Sequence, residues 1–452
     1  MIRRKIDTFL DHFFQSHNKA LLITGARQTG KTFSIREFAR RNYPTFIEIN
    51  FIESPSAKDI FLGAKDAQEV LFRLSAFVTQ PLVPGKTLIF LDEVQECPEA
   101  VTQIKFLVNE GSYRYALSGS LLGIELKDLR SEPVGYLDVK EMFPLDFEEF
   151  CLALGMSQQL LETLSVSFRN RQPIDPFVHE RMMSLFRLYL MVGGMPAAVS
   201  KYLSTNNLQE VASEQQAILR LYKRDIAKYD PQHKLYLDEI FELIPSELNA
   251  KNKRFILKSL NENMKFSRYE DSFIWLKDAG VALPTYNVEE PRLPLLLSKQ
   301  RNLFKLFQND VGLLACQYAG SIGLQILKGD STINFGSIYE NAAAQELHAH
   351  GFTLYYFNSK RQGELDFVVE DNAEVLPIEV KSGKDYARHN ALSNILNTPE
   401  YDIRHAMVFC NDNISCRGVI TYYPIYMIMF LQKEEPANIV YPFDMTGLTD
   451  HK

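Results

Sequence analysis

The sequence predicts an α/β fold built in several units. A parallel sheet with helices on both faces comes first, a helical stretch follows, and a second α/β unit closes the chain. Three observations predict this. Short apolar runs alternate with helical stretches over residues 1 to 150, the pattern of a sheet covered by helices. A glycine-bearing loop joins the first run to a helix. Near the C-terminus, residues 364–370 and 377–381 alternate apolar and polar side chains, the period of a half-buried strand.

Leu21, Leu22 and Ile23 read as a buried strand and Phe33 to Arg40 as a helix. Between them, Gly25-Ala26-Arg27-Gln28-Thr29-Gly30-Lys31-Thr32 fits G-x-x-x-x-G-K-[ST] at every position. Such a loop wraps its backbone N–H groups and the helix N-terminus around phosphates. Lys31 is then expected at the β/γ-phosphates, with the Thr32 hydroxyl on Mg²⁺. A glycine turn ahead of an ordinary helix is the bland alternative. The complete pattern in a strand–loop–helix setting favours ATP with Mg²⁺.

Thr45 to Phe51 reads as the next strand. Thr87-Leu88-Ile89-Phe90-Leu91 is an unbroken apolar run ending in Asp92-Glu93, as in a strand buried on both faces of a parallel sheet. Carboxylates at that end emerge where open α/β sheets bind ligands. Asp92 is expected to hold Mg²⁺ through water and Glu93 to polarise the attacking water. The strand Tyr113 to Leu117 ends in Ser118-Gly119-Ser120. Ser118 is placed to sense the γ-phosphate; a plain serine-glycine turn is the alternative.

A chain of 452 residues, 46% hydrophobic, can support two to four cores. The net charge of −7 and pI near 5.8 give no global case for nucleic acid, so any such binding must come from a local patch. Cys97, Cys151, Cys316, Cys410 and Cys416 form no C-x-x-C pair, which fits a reducing compartment without zinc or disulfides. Met1-Ile2-Arg3-Arg4-Lys5 lacks the apolar core of a signal peptide. The segment Val419 to Leu431 is too short to span a membrane and holds Pro424, so it reads as core. A cytoplasmic protein without a membrane partner is expected.

Strand signals vanish from 151 to 230. Phe177 to Met191 and Leu208 to Ile226 carry apolar residues at helical spacing around Gly193-Gly194-Met195-Pro196, and read as a helical lid on the nucleotide unit of residues 1–150. Residues 231–325 suggest a winged-helix-like unit. Leu237, Ile240, Phe241 and Ile244 line one helical face. Phe255, Ile256 and Leu260 suggest a second helix, and Phe273, Leu276 and Ala279 a third that ends at Gly280. A proline-bearing β-wing follows. Lys251-Asn252-Lys253-Arg254 with Lys258, Lys265 and Arg268 is a basic face suited to phosphates; a solvated structural face is the alternative. Without low-complexity linkers, the units are expected to pack together.

Residues 326–452 hold a second constellation. A hairpin with a four-residue loop, pairing Glu370 with Val375, sets Asp366 opposite Glu379 and Glu364 opposite Lys381. Leu365, Phe367 and Val369 then share the other face with Ile378 and Val380. Facing carboxylates repel, and a divalent cation together with Lys381 offsets this. Glu340, on an expected helix Ser337 to His350, completes a candidate metal set of Glu340, Asp366 and Glu379. Water on that metal is expected to attack a phosphodiester while Lys381 steadies the developing charge. A merely solvated hairpin face is the alternative.

With these residues in order, the chain resembles a widespread group of prokaryotic AAA-type ATPases. Its members join a P-loop domain to a C-terminal domain related to the PD-(D/E)xK nucleases. The resemblance rests on the phosphate loop, Leu91-Asp92-Glu93-Val94-Gln95, Ser118-Gly119-Ser120-Leu121-Leu122 and Phe143-Pro144-Leu145-Asp146-Phe147-Glu148-Glu149-Phe150. It continues through Gly193-Gly194-Met195-Pro196, Phe304-Lys305-Leu306-Phe307, Asp310-Val311-Gly312-Leu313-Leu314 and Tyr339-Glu340-Asn341. It ends with Glu364-Leu365-Asp366-Phe367 and Glu379-Val380-Lys381-Ser382-Gly383. It implies an AAA-like core, a winged-helix-like middle and a nuclease-like C-terminal fold. For an arginine finger the sequence offers only Arg27 and Arg130 as candidates.

Two functions stand open. One is an ATPase that gates or powers a Mg²⁺-dependent nuclease acting on DNA. The other is an ATP-driven switch whose nuclease-like domain only binds nucleic acid or a protein partner, a second copy of the chain included. A small-molecule kinase is disfavoured, because no acceptor-binding motif is visible.

Overall fold

The computed structural model describes residues 2–119, 135–229, 234–250, 253–255, 270–318, 325–329, 335–434 and 440–442. Ser120, Leu121, Leu122, Arg130, Lys251, Asn252, Ile256, Lys258, Leu260, Lys265 and Arg268 lie outside the described residues. So do the second expected helix, beyond Phe255, and most of the basic face.

The N-terminal unit runs α1 (Lys5–Ser16), β1 (Ala20–Thr24), α2 (Lys31–Asn42), β2 (Thr45–Asn50) and α3 (Ala67–Phe77). It continues with β3 (Thr87–Asp92), α4 (Pro98–Glu110), β4 (Arg114–Ser118) and β5 (Leu137–Glu141). Its five described strands form a parallel sheet in the order β2-β3-β4-β1-β5. Strand alternation divides the apolar runs between two cores. Leu21, Ile23, Leu88 and Phe90 pack against Leu10, Phe13 and Phe14 of α1 and Phe38 of α2. Leu22, Ile89 and Leu91 pack against Val70 and Leu74 of α3 and Val101 and Ile104 of α4. The sequence reading missed β5, because Leu137-Asp138-Val139-Lys140-Glu141 is a half-exposed edge strand with no apolar run.

From α5 (Phe147–Ala153) the described chain stays helical through α6 (Gln158–Asn170), α7 (Pro176–Val192), α8 (Pro196–Thr205) and α9 (Leu208–Tyr229). Next come α10 (Lys234–Asn249), α11 (Glu270–Asp278), β6 (Ala282–Val288), β7 (Lys299–Gln308) and α12 (Val311–Ala315). The last stretch is α13 (Gly336–Ala349), β8 (Tyr355–Ser359), β9 (Gly363–Asp371), β10 (Glu374–Val380), α14 (Asn390–Leu396), β11 (Ala406–Cys410), β12 (Ser415–Arg417) and β13 (Ile420–Pro424).

The expected β-wing is not a separate wing. Strands β6 and β7 pair antiparallel, and β6 also pairs in parallel with β8 from Tyr286↔Tyr355 to Val288↔Phe357. They complete an eight-stranded sheet, β12-β13-β11-β10-β9-β8-β6-β7, which crosses the expected boundary at 325/326. The cause is burial: most of β6 is inaccessible, and a long apolar edge left unpaired would be a liability. Within Val419 to Leu431, Ile420 to Met429 and Leu431 are buried, as expected of core, while Val419 itself is exposed.

The hairpin β9–β10 pairs Glu370 with Val375 as anticipated, but Asp371 also pairs with Glu374. The loop therefore has two residues, not four. Asn372 and Ala373 both take positive φ, 46° and 60°, the geometry that matches strand twist in a tight hairpin. Asn tolerates it; Ala does so at a cost. Ala373→Gly is expected to stabilise the protein by about 0.5–1 kcal/mol, the relief of strain outweighing chain entropy. A lower melting temperature in that variant would contradict the turn.

A second difference sits beside it. Between Tyr355↔Val368 and Phe357↔Leu365, β9 carries one residue more than β8. This bulge at Asp366-Phe367 moves Leu365 into the core of Val368 and Val375, away from Phe367, Val369, Ile378 and Val380. Bulges re-aim side chains in this way.

The strings Phe143 to Phe150, Gly193 to Pro196 and Asp310 to Leu314 meet in one joint. Leu145 N–H donates to the Gly194 carbonyl at 2.7 Å. The buried Asp310 carboxylate accepts the N–H groups of Gly194 at 2.6 Å and Leu313 at 3.0 Å. Burial still pushes Asp310 up to about 6. Asp146 caps α5 and reaches Lys5 at 2.6 Å and His350, just past α13, at 3.5 Å. The nucleotide unit is thus bonded directly to the C-terminal sheet layer.

Candidate functional site

The phosphate loop turns on backbone that few residues adopt: Gly25 at φ 129°, Gln28 at 68° and Gly30 at 99°. At Gly25 a side chain would also stand 2.2 Å from the Met142 carbonyl oxygen. Lys31 opens α2, and its Nζ donates to the carbonyls of Gly25 at 2.9 Å and Ala26 at 2.8 Å. Burial pulls its pKa down to about 8, against the opposing fields of Glu93 and Asp92. Thr29 donates through Oγ1 to Ala26 O at 2.9 Å, closing the loop on itself.

Thr32 Oγ1 lies 3.2 Å from both oxygens of Asp92. Strand pairing causes this, since β1 and β3 flank β4 and their C-terminal ends share one sheet edge. Asp92 also accepts from Asn50 Nδ2 at 2.9 Å and from the Ser118 hydroxyl. Burial raises the Asp92 pKa, and the Ser118 bond works against that. Glu93 has φ 57° and accepts from the Gln95 amide. A cleft of 680 Å³ opens here, lined by Arg27, Gln28, Gly30, Lys31, Thr32 and Glu93 among others.

Ser118, the expected γ-phosphate sensor, is buried and its hydroxyl donates to Asp92. Arg27, a candidate finger, is held within its own chain by Asp225 of α9 at 2.5 Å. Two contributors escaped the sequence reading. Asn50 ends β2 beside Asp92, a polar strand end that carried a signal. Arg4 binds the Thr29 carbonyl at 3.1 Å, the Phe143 carbonyl at 2.8 Å and Glu149 at 3.0 Å, and no local pattern announces it.

The C-terminal constellation does converge, but differently from expectation. Glu340, Asp366 and Glu379 are all buried. Lys253 pairs with Glu340, Lys305 lies 3.6 Å from Glu340 and 2.7 Å from Glu364, and Lys381 lies 2.7 Å from Glu379. Asp366 accepts the Val380 N–H at 2.9 Å. Burial, then Asp366, pushes Glu379 up to about 8 against Lys381. Burial also acts on Asp366, yet Lys253, Lys305 and Lys381 hold its pKa below the usual range. A cleft of 270 Å³ is bordered by Lys253, Glu340, Asp366 and Lys381.

Among the described residues, no group of three His, Cys, Asp or Glu side chains has the arrangement to hold a metal. The expected metal set of Glu340, Asp366 and Glu379 comes together with Lys253, Lys305 and Lys381 beside it, and these lysines offset part of the carboxylate repulsion. Lys253, expected on a phosphate-binding face, points to Glu340 instead. Lys305 was quoted for the resemblance but given no role. A lysine inside Phe304-Lys305-Leu306-Phe307 was itself the signal, since a charge so buried requires partners.

Residues 17–151 match the AAA domain family. Residues 183–323 match a domain of unknown function (DUF8612), and residues 335–428 match another (DUF4143). No curated protein matches the sequence. Among solved structures, the chain is similar to the Walker-type ATPase PABY2304 of Pyrococcus abyssi, at 12% identity and TM-score 0.41 over 70% of this chain and 96% of that one. It is also similar to the ORC1 protein of Aeropyrum pernix solved in complex with DNA, at 14% identity and TM-score 0.30 over 72% and 91%. Among the described residues, no single helix is long and apolar enough to cross a membrane.

Proposed function

We propose that the chain is an ATP-driven switch, hydrolysing ATP at the N-terminal cleft and relaying its state to a C-terminal domain that binds nucleic acid or protein without cutting it. The observation that carries the first half is the Thr32–Asp92 contact at 3.2 Å beside Lys31. Thr32 Oγ1 and the Asp92 carboxylate are hard oxygen donors and fit Mg²⁺, which supplies charge neutralisation at the phosphates when bound. Lys31 adds a positive charge at the β/γ-phosphates, and the loop N–H groups orient them. Glu93, on the cleft wall, takes the proton side of water activation. Asn50 and Ser118 keep Asp92 fixed.

The second half rests on the lysines. A carboxylate cluster already neutralised by Lys253, Lys305 and Lys381 gains less from a divalent ion than a bare one does. The nuclease reading keeps one supporting feature, the Asp366 and Glu379-Val380-Lys381 placement on adjacent strands under Glu340. The two readings separate on supercoiled DNA with Mn²⁺. Full-length protein is expected to leave it intact. Nicking that disappears in Asp366→Ala would establish the nuclease and overturn the switch.

A further inference from the structure

A second cleft, of 630 Å³, lies against the back of the phosphate loop. Ala26 is part of its wall, and Met142 lines both this cleft and the nucleotide cleft. Gly280, at the end of α11, comes so near that an added methyl would stand 3.0 Å from Ala26 N. Whatever fills this space therefore touches the loop from the side away from the phosphates.

Its chemistry differs from the rest of a chain with net charge −7. Lys277 of α11 and Lys299 of β7 both border it, and burial, then Lys277 and Arg301, makes the Lys299 charge more costly. The Lys299 ammonium lies 3.6 Å from the centre of the Tyr286 ring. Of the acidic groups present, Glu141 has its pKa raised by burial, against the field of Lys277. Asp278 is exposed at the rim. Burial, then Lys277, pushes His348 down to about 4, so it faces the cleft as a neutral ring at pH 7. Lys140 also borders the space, but its ammonium sits over the Phe9 ring. Leu283, Phe352 and Leu354 supply an apolar wall.

We infer that this cleft is a second ligand site, taking a small organic anion that carries a flat ring, with the anion between Lys277 and Lys299 and the ring against Tyr286 and the apolar wall. The volume is that of ordinary small-molecule sites, mostly apolar with a few convergent charges. An anion there offsets the repulsion that Lys277 and Arg301 add to the burial of Lys299. Occupancy presses on Ala26 and Met142, so a ligand there alters ATP turnover without entering the nucleotide cleft.

Pyridoxal 5′-phosphate, a ring bearing a phosphate and an aldehyde, is the probe. A lysine amine attacks the aldehyde carbon, water leaves, and borohydride delivers hydride to the imine carbon, fixing a secondary amine that peptide mapping locates. Burial, with Lys277 and Arg301 nearby, lowers the Lys299 pKa and leaves more of it as free amine. On full-length protein, Lys277 or Lys299 should be modified at least about tenfold faster than exposed Lys86 and Lys384, and the rate should saturate with probe concentration. Labelling of Lys31 is read separately by its peptide. Pyridoxal without the phosphate should react about tenfold more slowly at the same sites, and Lys277→Gln/Lys299→Gln should lose the saturable phase. Even, unsaturable labelling across the exposed lysines, or equal rates with and without the phosphate, would overturn the site.

Discussion

Replacing Lys31 with alanine is expected to lower ATP turnover by about two to three orders of magnitude, the usual loss when one preorganised charge-stabilising donor is removed. Among the described residues, three other cations line the nucleotide cleft, and each is already engaged. Arg4 is held by Glu149, Arg27 by Asp225 and Arg36 by Glu48. None is free to move onto the phosphates without abandoning a partner. The cost to folding should be small. Lys31 is partly exposed, burial already lowers its pKa, and its two hydrogen bonds go to loop carbonyls that water can satisfy. A Lys31→Ala protein that melts like the parent but hydrolyses ATP at a comparable rate would place the chemistry elsewhere.

Gly194→Ala is expected to be the most damaging single methyl group among the described residues. Its Cβ would stand 1.9 Å from the Leu145 carbonyl oxygen and 2.7 Å from the Leu145 nitrogen. Both are backbone atoms in a segment pinned by the Leu145–Gly194 hydrogen bond and by Asp310. No rotamer change relieves such a clash, so the joint must separate. A loss of about 3–5 kcal/mol follows, at the upper end for point substitutions. Gly383→Ala is the control, since a methyl there meets nothing within 4 Å, and it should shift stability by less than about 0.5 kcal/mol. Because the chain has several cores, the comparison belongs on the first unfolding transition. Equal transitions for the two variants would mean that the joint is loose and cannot relay the nucleotide state.

The parts of the site that were legible lie where a local pattern and a chemical need coincide. An apolar strand that ends in Asp92-Glu93, and a strand–loop–helix carrying Gly30-Lys31-Thr32, reveal themselves over a few residues because burial and phosphate binding act on neighbours in the chain. Arg4 does not, since its three acceptors lie 25, 139 and 145 residues away. The proline-bearing stretch after α11 reads as strands, yet local patterning cannot say which sheet a strand joins, and the expected wing is instead part of the eight-stranded sheet. The β9–β10 register from Glu370↔Val375 to Phe367↔Ile378 was foreseen from alternation alone. The bulge that moves Leu365 was not, because one extra residue on β9 leaves no trace in composition. Lysines from β7 and from the segment before α11 enter that cluster only through tertiary packing, so sequence patterning does not show them beside the carboxylates.

The account stands most directly on Glu93. Full-length wild-type protein and Glu93→Gln should be compared for ATP binding by calorimetry and for steady-state phosphate release. The substitution keeps size and shape and removes only the carboxylate that would draw on the attacking water. ATP should bind with an affinity within a few-fold of wild type, while turnover falls by about two orders of magnitude or more. Turnover at the wild-type rate with binding unchanged would contradict the assignment of Lys31, Thr32, Asp92 and Glu93 as one hydrolytic site.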